Sequence, residues 1–273
     1  MSQTNQQLPQ SIELSINTRR LAKIVLIVCL LVEIAFLLLD YYVNFSEYTD
    51  IGALQRLFNI TQEDGLASWF ASTQTLLVGI SFGFIYCCVR QQSGKQREAI
   101  GWLVLTCFFI YMAIDDGAML HERLSTTFRK SLAQSDMSLD FFPSYTWQLI
   151  FLPIFSAFGI FIFYFLWFQF SNQNSRKLLI LVMSCFALAV GLDFIEGLEA
   201  EHPLNFYTWI GDNTDLDYWT IEQFDENAYQ TLLHFSKSLE ETLEMFAHTL
   251  IWYLLLQQIH TLIPSVSINF TEQ

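Results

Sequence analysis

Residues Leu21–Val43 read LAKIVLIVCLLVEIAFLLLDYYV. At 1.5 Å per residue, a helix of this length crosses a hydrocarbon core about 30 Å thick. Its charges are Lys23 at the start, Glu33 in the middle and Asp40 near the end. A bare carboxylate at such depth costs about 2.5–3.5 kcal/mol even on the more lenient scales, so acids kept there point to a use. Five more apolar windows follow: Ala67–Arg90, Ile100–Leu120, Trp147–Phe170, Leu178–Leu198 and Leu243–Ile263. The chain is 53% hydrophobic and only 15% charged over 273 residues, too apolar for an ordinary soluble domain. Backbone groups in lipid must be satisfied within the segment, so the windows are expected to be helices.

The expected fold is therefore all-α, an integral membrane bundle of six transmembrane helices in one domain, residues 19–265. Residues 1–18, rich in Gln, Ser and Asn, are expected to be a disordered cytoplasmic tail. The first apolar run is too long for a signal-peptide core and reads as a retained span. Residues 266–273 form the other tail. Lys and Arg set the orientation. Arg19, Arg20 and Lys23 open the first span, Arg90, Lys95 and Arg97 join spans two and three, and Arg176 and Lys177 join spans four and five. These positions are expected inside, which puts both termini in the cytoplasm, at the inner membrane of a cell. The outer loops are then 44–66, 123–145 and 203–237. Within the first, Asp50–Asn59 reads as a short interfacial amphipathic helix. Within the last, Asp212, Asp215, Asp217, Glu222, Asp225 and Glu226 occur with no Lys or Arg between His202 and Lys237, as in a solvated loop or a lid that gathers cations.

A net charge of −14 argues against nucleic acid as a partner. All five cysteines lie in apolar windows and imply no disulfide framework.

The chemistry-bearing residues gather at the outer ends of spans three, five and six. Glu240, Glu241, Glu244 and His248 share one helical stripe about 100° wide. Asp115 and Glu122 share a face of span three, with Asp116 and His121 pointing to either side. Asp193 and Glu196 lie in span five, with Glu199 and His202 as an E-x-x-H pair beyond them. Counted from the cytoplasmic ends, Asp115, Asp193 and His248 reach a similar depth, about 20–25 Å up. Carboxylates with imidazole are the ligand set of hard and borderline divalent cations: iron, zinc, manganese or calcium. Helix bundles that hold two irons use such inward-facing Glu and Glu-x-x-His sets. The expected metal ligands are Asp115, His121, Glu122, Asp193, Glu196, Glu241, Glu244 and His248, with Asp116 and Glu240 left to move protons.

The segments Phe58–Ala71 (FNITQEDGLASWFA), Ala113–Glu122 (AIDDGAMLHE) and Leu239–Ala247 (LEETLEMFA) resemble a group of bacterial multi-pass membrane proteins. That group carries a loop leading into W-F-S, a D-D/E…H-E segment and an E-E-x-L-E-M segment; here the first element reads W-F-A. The resemblance covers most of the chain and implies no activity. It implies Asp115, Asp116, His121, Glu122, Glu240, Glu241 and Glu244 as the central set, and leaves His248 outside it.

Three functions fit this pattern. A metal-dependent hydrolase or oxidoreductase would act on a lipid or isoprenoid dissolved in the bilayer, against a wall of Trp69, Phe70 and Tyr111. A divalent-cation transporter would continue inward from Asp40 through Glu33. A scaffold or assembly factor would hold a partner's basic residues. The apolar cytoplasmic halves of spans three and five, and the absence of paired helix breaks, favour the enzyme. No P-loop, Rossmann glycine pattern, CxxC or Ser-His-Asp arrangement appears.

Overall fold

The computed structural model describes residues 12–46, 48–133, 142–263 and 265–270. It is helical except for a small ribbon that joins its two ends. Strand β1 (Ile12–Asn17) pairs antiparallel with β2 (Ser265–Phe270). The helices are α1 (Thr18–Asp40), continued by a π-helical turn at Tyr41–Phe45, α2 (Gly52–Phe58), α3 (Leu66–Arg90), α4 (Gln96–Ala118), α5 (Leu120–Ala133), α6 (Thr146–Gln169), α7 (Gln173–Glu196), α8 (Phe206–Asn213), α9 (Leu216–Phe224) and α10 (Ala228–Leu262).

Five of these segments are long and apolar enough to cross a membrane: Thr18–Phe45, Leu66–Arg90, Gln96–Ala118, Thr146–Gln169 and Gln173–Glu196. Most of their surface faces outward, as lipid-facing helices require. Ile27, Leu31, Ile80, Ile160 and Tyr164 are all exposed. The sixth apolar window belongs to α10, which is not among the five because Gln257, Gln258, His248 and His260 dilute it. That helix is the axis of the bundle. It packs against α1, α3 and α7, while α3 and α4 form a tight hairpin and α6 lies outside against α5 and α7. At 35 residues α10 is about 52 Å long, well beyond one bilayer core.

The core of the half away from the acids is mostly apolar. Ala22 of α1, Phe82 of α3, Trp102 and Leu105 of α4, Leu166 of α6, Leu179 and Val182 of α7, and Ile251 and Leu255 of α10 are all fully buried in one cluster. Arg176 closes the C-terminal end of α6, its Nε donating to the carbonyls of Trp167 at 3.1 Å and Phe170 at 2.8 Å, the orphan acceptors of a helix terminus.

Three expectations change. Residues 12–18 are not disordered: they make a strand and the start of α1, and residues 265–270 make its partner, so neither terminal segment is a loose tail throughout. The physical reason is alternation. Ile12, Leu14 and Ile16 stand opposite Phe270, Ile268 and Val266 in the register, so apolar positions coincide. Residues 1–11 and 271–273 lie outside the described residues. The outer segment 123–145 is not simply a loop, because α5 occupies Leu120–Ala133. The span expected to run on to Leu120 ends at Ala118, where Met119 takes the left-handed conformation (φ 52°) and turns the chain from α4 into α5. The acidic 203–237 segment is also largely helical. Asp217 spends its carboxylate on the start of α10, where Oδ1 accepts the N–H of Ala228 at 2.6 Å. The interfacial helix expected at Asp50–Asn59 is α2, with Leu54 and Leu57 exposed.

Candidate functional site

The left-handed turn at Met119 builds the first part of the site. It reverses the chain so that His121 folds back onto α4. Asp115, fully buried, accepts the His121 backbone N–H at 2.9 Å through Oδ1 and the His121 ring Nδ1 at 2.8 Å through Oδ2. A ring bound through Nδ1 in this way presents Nε2, the arrangement in which a carboxylate orients a metal-binding or proton-moving imidazole. Burial acts to lower the His121 pKa. The hydrogen bond and charge of Asp115, with Glu122 and Asp116, outweigh it and hold the imidazole above its ordinary value.

Around this pair stand Glu122 of α5 itself and acids from three other parts of the chain. Glu63, in the loop before α3, lies within electrostatic reach of Glu122 of α5. Desolvation and that neighbouring carboxyl raise the Glu63 pKa. Asp193 of α7 accepts Gln148 Nε2 of α6 at 2.6 Å. Glu196, one turn on, accepts Tyr145 O–H at 3.0 Å and is in ion contact with Lys237 of α10. Burial acts to lower the Lys237 pKa, but the bond to Glu196 and the charges of Glu196, Glu240 and Asp193 raise it. Glu240, Glu241 and Glu244 of α10 close the ring. Glu244 lies within electrostatic reach of Glu241, Asp193 and His121, and Glu241 within reach of Asp116, Glu63, Lys237 and Glu196. These three glutamates are half-buried, so the chamber is a cup rather than a sealed void.

His248 sits at the floor. Its Nε2 is 3.2 Å from Thr75 Oγ1 of α3, which is itself 3.4 Å from Asp116 Oδ2. The rings of Phe109 and Phe186 flank it. Deeper still, Glu33 Oε1 accepts Thr249 O–H at 2.6 Å and Gln74 Nε2 at 3.1 Å, all three buried. Two turns further along α1, Asp40 is a clasp. It accepts His234 Nε2 at 3.0 Å, Asn44 Nδ2 at 2.9 Å, Ser238 O–H at 3.3 Å and the Ile60 N–H at 3.4 Å, tying α1, α10 and the loop before α3 together.

The residues expected from sequence in spans three, five and six are thus gathered at one end of the bundle. Asp115 is committed to His121, so its carboxylate orients a neighbour instead of facing the chamber. The E-x-x-H pair stands apart, because α7 ends at Glu196; Glu199 is exposed, and His202 Nδ1 accepts the Leu204 N–H at 3.2 Å. Glu63, Thr75, Tyr145 and Gln148 were not anticipated, and Lys237, a candidate partner for Asp116, pairs instead with Glu196. The amide of Gln148 inside an apolar window was a readable signal, since a lone polar group in lipid needs a partner. Tyr145 carried none.

Chemically the cup holds a large surplus of carboxyls over the two cationic groups, Lys237 and His121. Hard oxygen donors with one oriented imidazole fit Mn²⁺, Fe²⁺, Ca²⁺ or Zn²⁺ by type. The amide oxygen of Gln148, buried beside Asp193, has no hydrogen-bond partner among the described residues and adds a neutral donor. As placed, no three His, Cys, Asp or Glu side chains among the described residues are grouped to hold one metal ion. The surplus is relieved in part by the Lys237 ion pair with Glu196.

Residues 24–259 match the family model of a domain of unknown function, DUF8692, and the chain belongs to that family. No curated protein and no solved structure matches it.

Proposed function

We propose that this chain is a six-span protein of a cell's inner membrane, both ends cytoplasmic, whose outer acidic cup takes up a divalent cation in exchange for protons and turns over a lipid-like substrate. The pairing of β1 with β2, and the 2.8 Å contact of Thr18 Oγ1 with His260 Nδ1, keep the two ends together. Ends on one side support an even number of crossings, with α10 as the sixth. The basic residues near the inner ends support the orientation.

The observation that carries the cation is that Asp116, Glu122, Asp193 and Glu244 all lie within electrostatic reach of an imidazole whose Nδ1 is already bound by Asp115, with Glu196, Glu240 and Glu241 beside Asp193 and Glu244. In low dielectric such a surplus demands protons or a metal. His121 Nε2, Glu122, Asp193, Glu196, Glu241, Glu244 and, from the floor, His248 would hold the ion once Lys237 yields. A bound divalent ion lowers the pKa of water and polarises oxygen. Asp115 holds the imidazole ring in place. Asp116 and Glu240 take and return protons at their carboxylates. The packed core beneath Glu33 is largely apolar, with the buried Ser81 hydroxyl taken up by the Trp252 indole N–H, and this favours an enzyme over a conduit.

The test is metal analysis of the detergent-purified protein after Mn²⁺ loading and desalting, beside Glu244→Gln and Asp193→Asn. Retained metal in the wild type, with loss in both folded variants, is expected. A metal-free wild type, or variants that keep the ion, overturns the reading. Cation flux in liposomes that disappears in Glu33→Gln would favour transport.

A further inference from the structure

We propose that the cleft between α4 and α6 is a lipid site, holding one acyl chain of an anionic phospholipid with its phosphate at Arg97. The proposal rests on the orientation given above and not on the cation chemistry. Helix α6 is anchored through α5 and α7 and stands off α4. The upper cleft, about 520 Å³, is lined by Cys107 and Tyr111 of α4 and Ile154 and Phe155 of α6. The lower, about 460 Å³, is lined by Arg97 and Ile100 of α4 and Phe161 and Phe165 of α6. Val104 and Phe158 line both, so the two are one groove.

Rings make its floor. Phe158 stacks on Phe108 at 4.3 Å, and Phe165 meets Trp102 edge-on at 5.2 Å. Gly101 permits the second contact, since a Cβ there would fall 2.2 Å from the Phe165 ring.

The two ends differ in charge, and that difference sets the occupant's direction. Arg97 at the lower end is exposed and makes no ion pair among the described residues. At the upper end Tyr111 lies one turn below Asp115. Phe155 lies 6.4 Å from Trp147, which meets the His121 ring at 5.0 Å. The acidic cup repels a phosphate there, and the guanidinium attracts one below. Arg97 to Tyr111 is a rise of about 21 Å, one leaflet's acyl layer of about 15 Å plus the headgroup zone. A chain anchored at Arg97 therefore ends beneath the cup.

The probe is a phosphatidylglycerol with a diazirine at the end of one acyl chain, at trace level in phosphatidylcholine nanodiscs, with label sites mapped by mass spectrometry after irradiation. Label is expected at Tyr111 and Phe155, displaced by unlabelled phosphatidylglycerol but not by added phosphatidylcholine. Arg97→Gln is expected to reduce that preference about fivefold, the worth of one basic contact. Val104→Trp is expected to abolish the label. Label spread evenly to positions such as Leu31 and Ile160, or equal competition by phosphatidylcholine, overturns the site. Modification of Arg97→Cys by an impermeant reagent from the outer face would overturn the inner-leaflet assignment, and the orientation with it, while leaving the metal analysis untouched.

Discussion

Asp115 grips His121 at two points, with Oδ1 on the backbone N–H at 2.9 Å and Oδ2 on ring Nδ1 at 2.8 Å. The pair fixes both the ring's direction and the turn that follows α4. A charge-assisted hydrogen bond contributes about 1.5–3 kcal/mol, which is about 1–2 pH units on a titrating group. Asp115→Asn is thus expected to lower the His121 titration midpoint by about one unit or more, read by NMR of labelled histidine. An unchanged midpoint would show that Asp115 does not govern the ring.

In chelator, stability is expected to fall as pH rises from about 5 to about 8. His121 has a raised folded pKa, so its contribution is complete below its unfolded value and is lost as pH rises through the folded one. Glu63 is also raised, so the folded state binds the extra proton and loses that advantage over the same rise. Melting in detergent against pH measures it. Glu63→Gln should flatten the curve, and a wild-type curve that climbs with pH would refute the assignment.

Glu33 is satisfied by Thr249 and Gln74, while Gln74 Oε1 has no partner among the described residues. Glu33→Gln keeps the shape and should change stability little. Glu33→Ala strands the buried Thr249 hydroxyl, at about 1–3 kcal/mol, while the Gln74 amide keeps its 2.7 Å bond to Thr249 Oγ1. Unfolding midpoints in a denaturing detergent compare the two. Equal losses would mean that the carboxylate's charge, and not its hydrogen bonding, is what matters.

Gly101→Ala should destabilise by about 1–3 kcal/mol through the clash with Phe165. Phe165→Leu in the same chain should recover much of it, since contacting residues do not add. Strict additivity in a thermal double-mutant cycle would show that the two do not touch.

Ser15 and Ser267 are paired positions of the ribbon. Cysteines at both are expected to cross-link under mild oxidation, and to react with an impermeant maleimide only from the cytoplasmic side. Reaction from outside would reverse the orientation, and failure to cross-link would dissolve the ribbon.

Where residue chemistry alone dictated the outcome, the reading was direct. Leu21–Val43 and Leu178–Leu198 are helices because hydrocarbon leaves the backbone no other partner. The acids of LEETLEMFAH face one way because the helical period places them so. The break at Met119 was not visible: nothing in AIDDGAMLHE announces a left-handed residue that a glycine would favour. Lys237, Tyr145 and Gln148 meet Glu196 and Asp193 across helices, and Asp40 finds His234 at a separation of 194 residues. No local pattern encodes such meetings.

By itself the sequence determined that the chain is built of apolar helices, and which end of them carries the acids. Both follow from short-range rules, the cost of an unpaired backbone in lipid and the turn of a helix. Only the tertiary structure decided that α10 is the axis, that Asp115 serves His121, and that Lys237 stands among the carboxyls. Those depend on how the helices rotate and lean against one another, which is set by side-chain packing summed over the whole bundle.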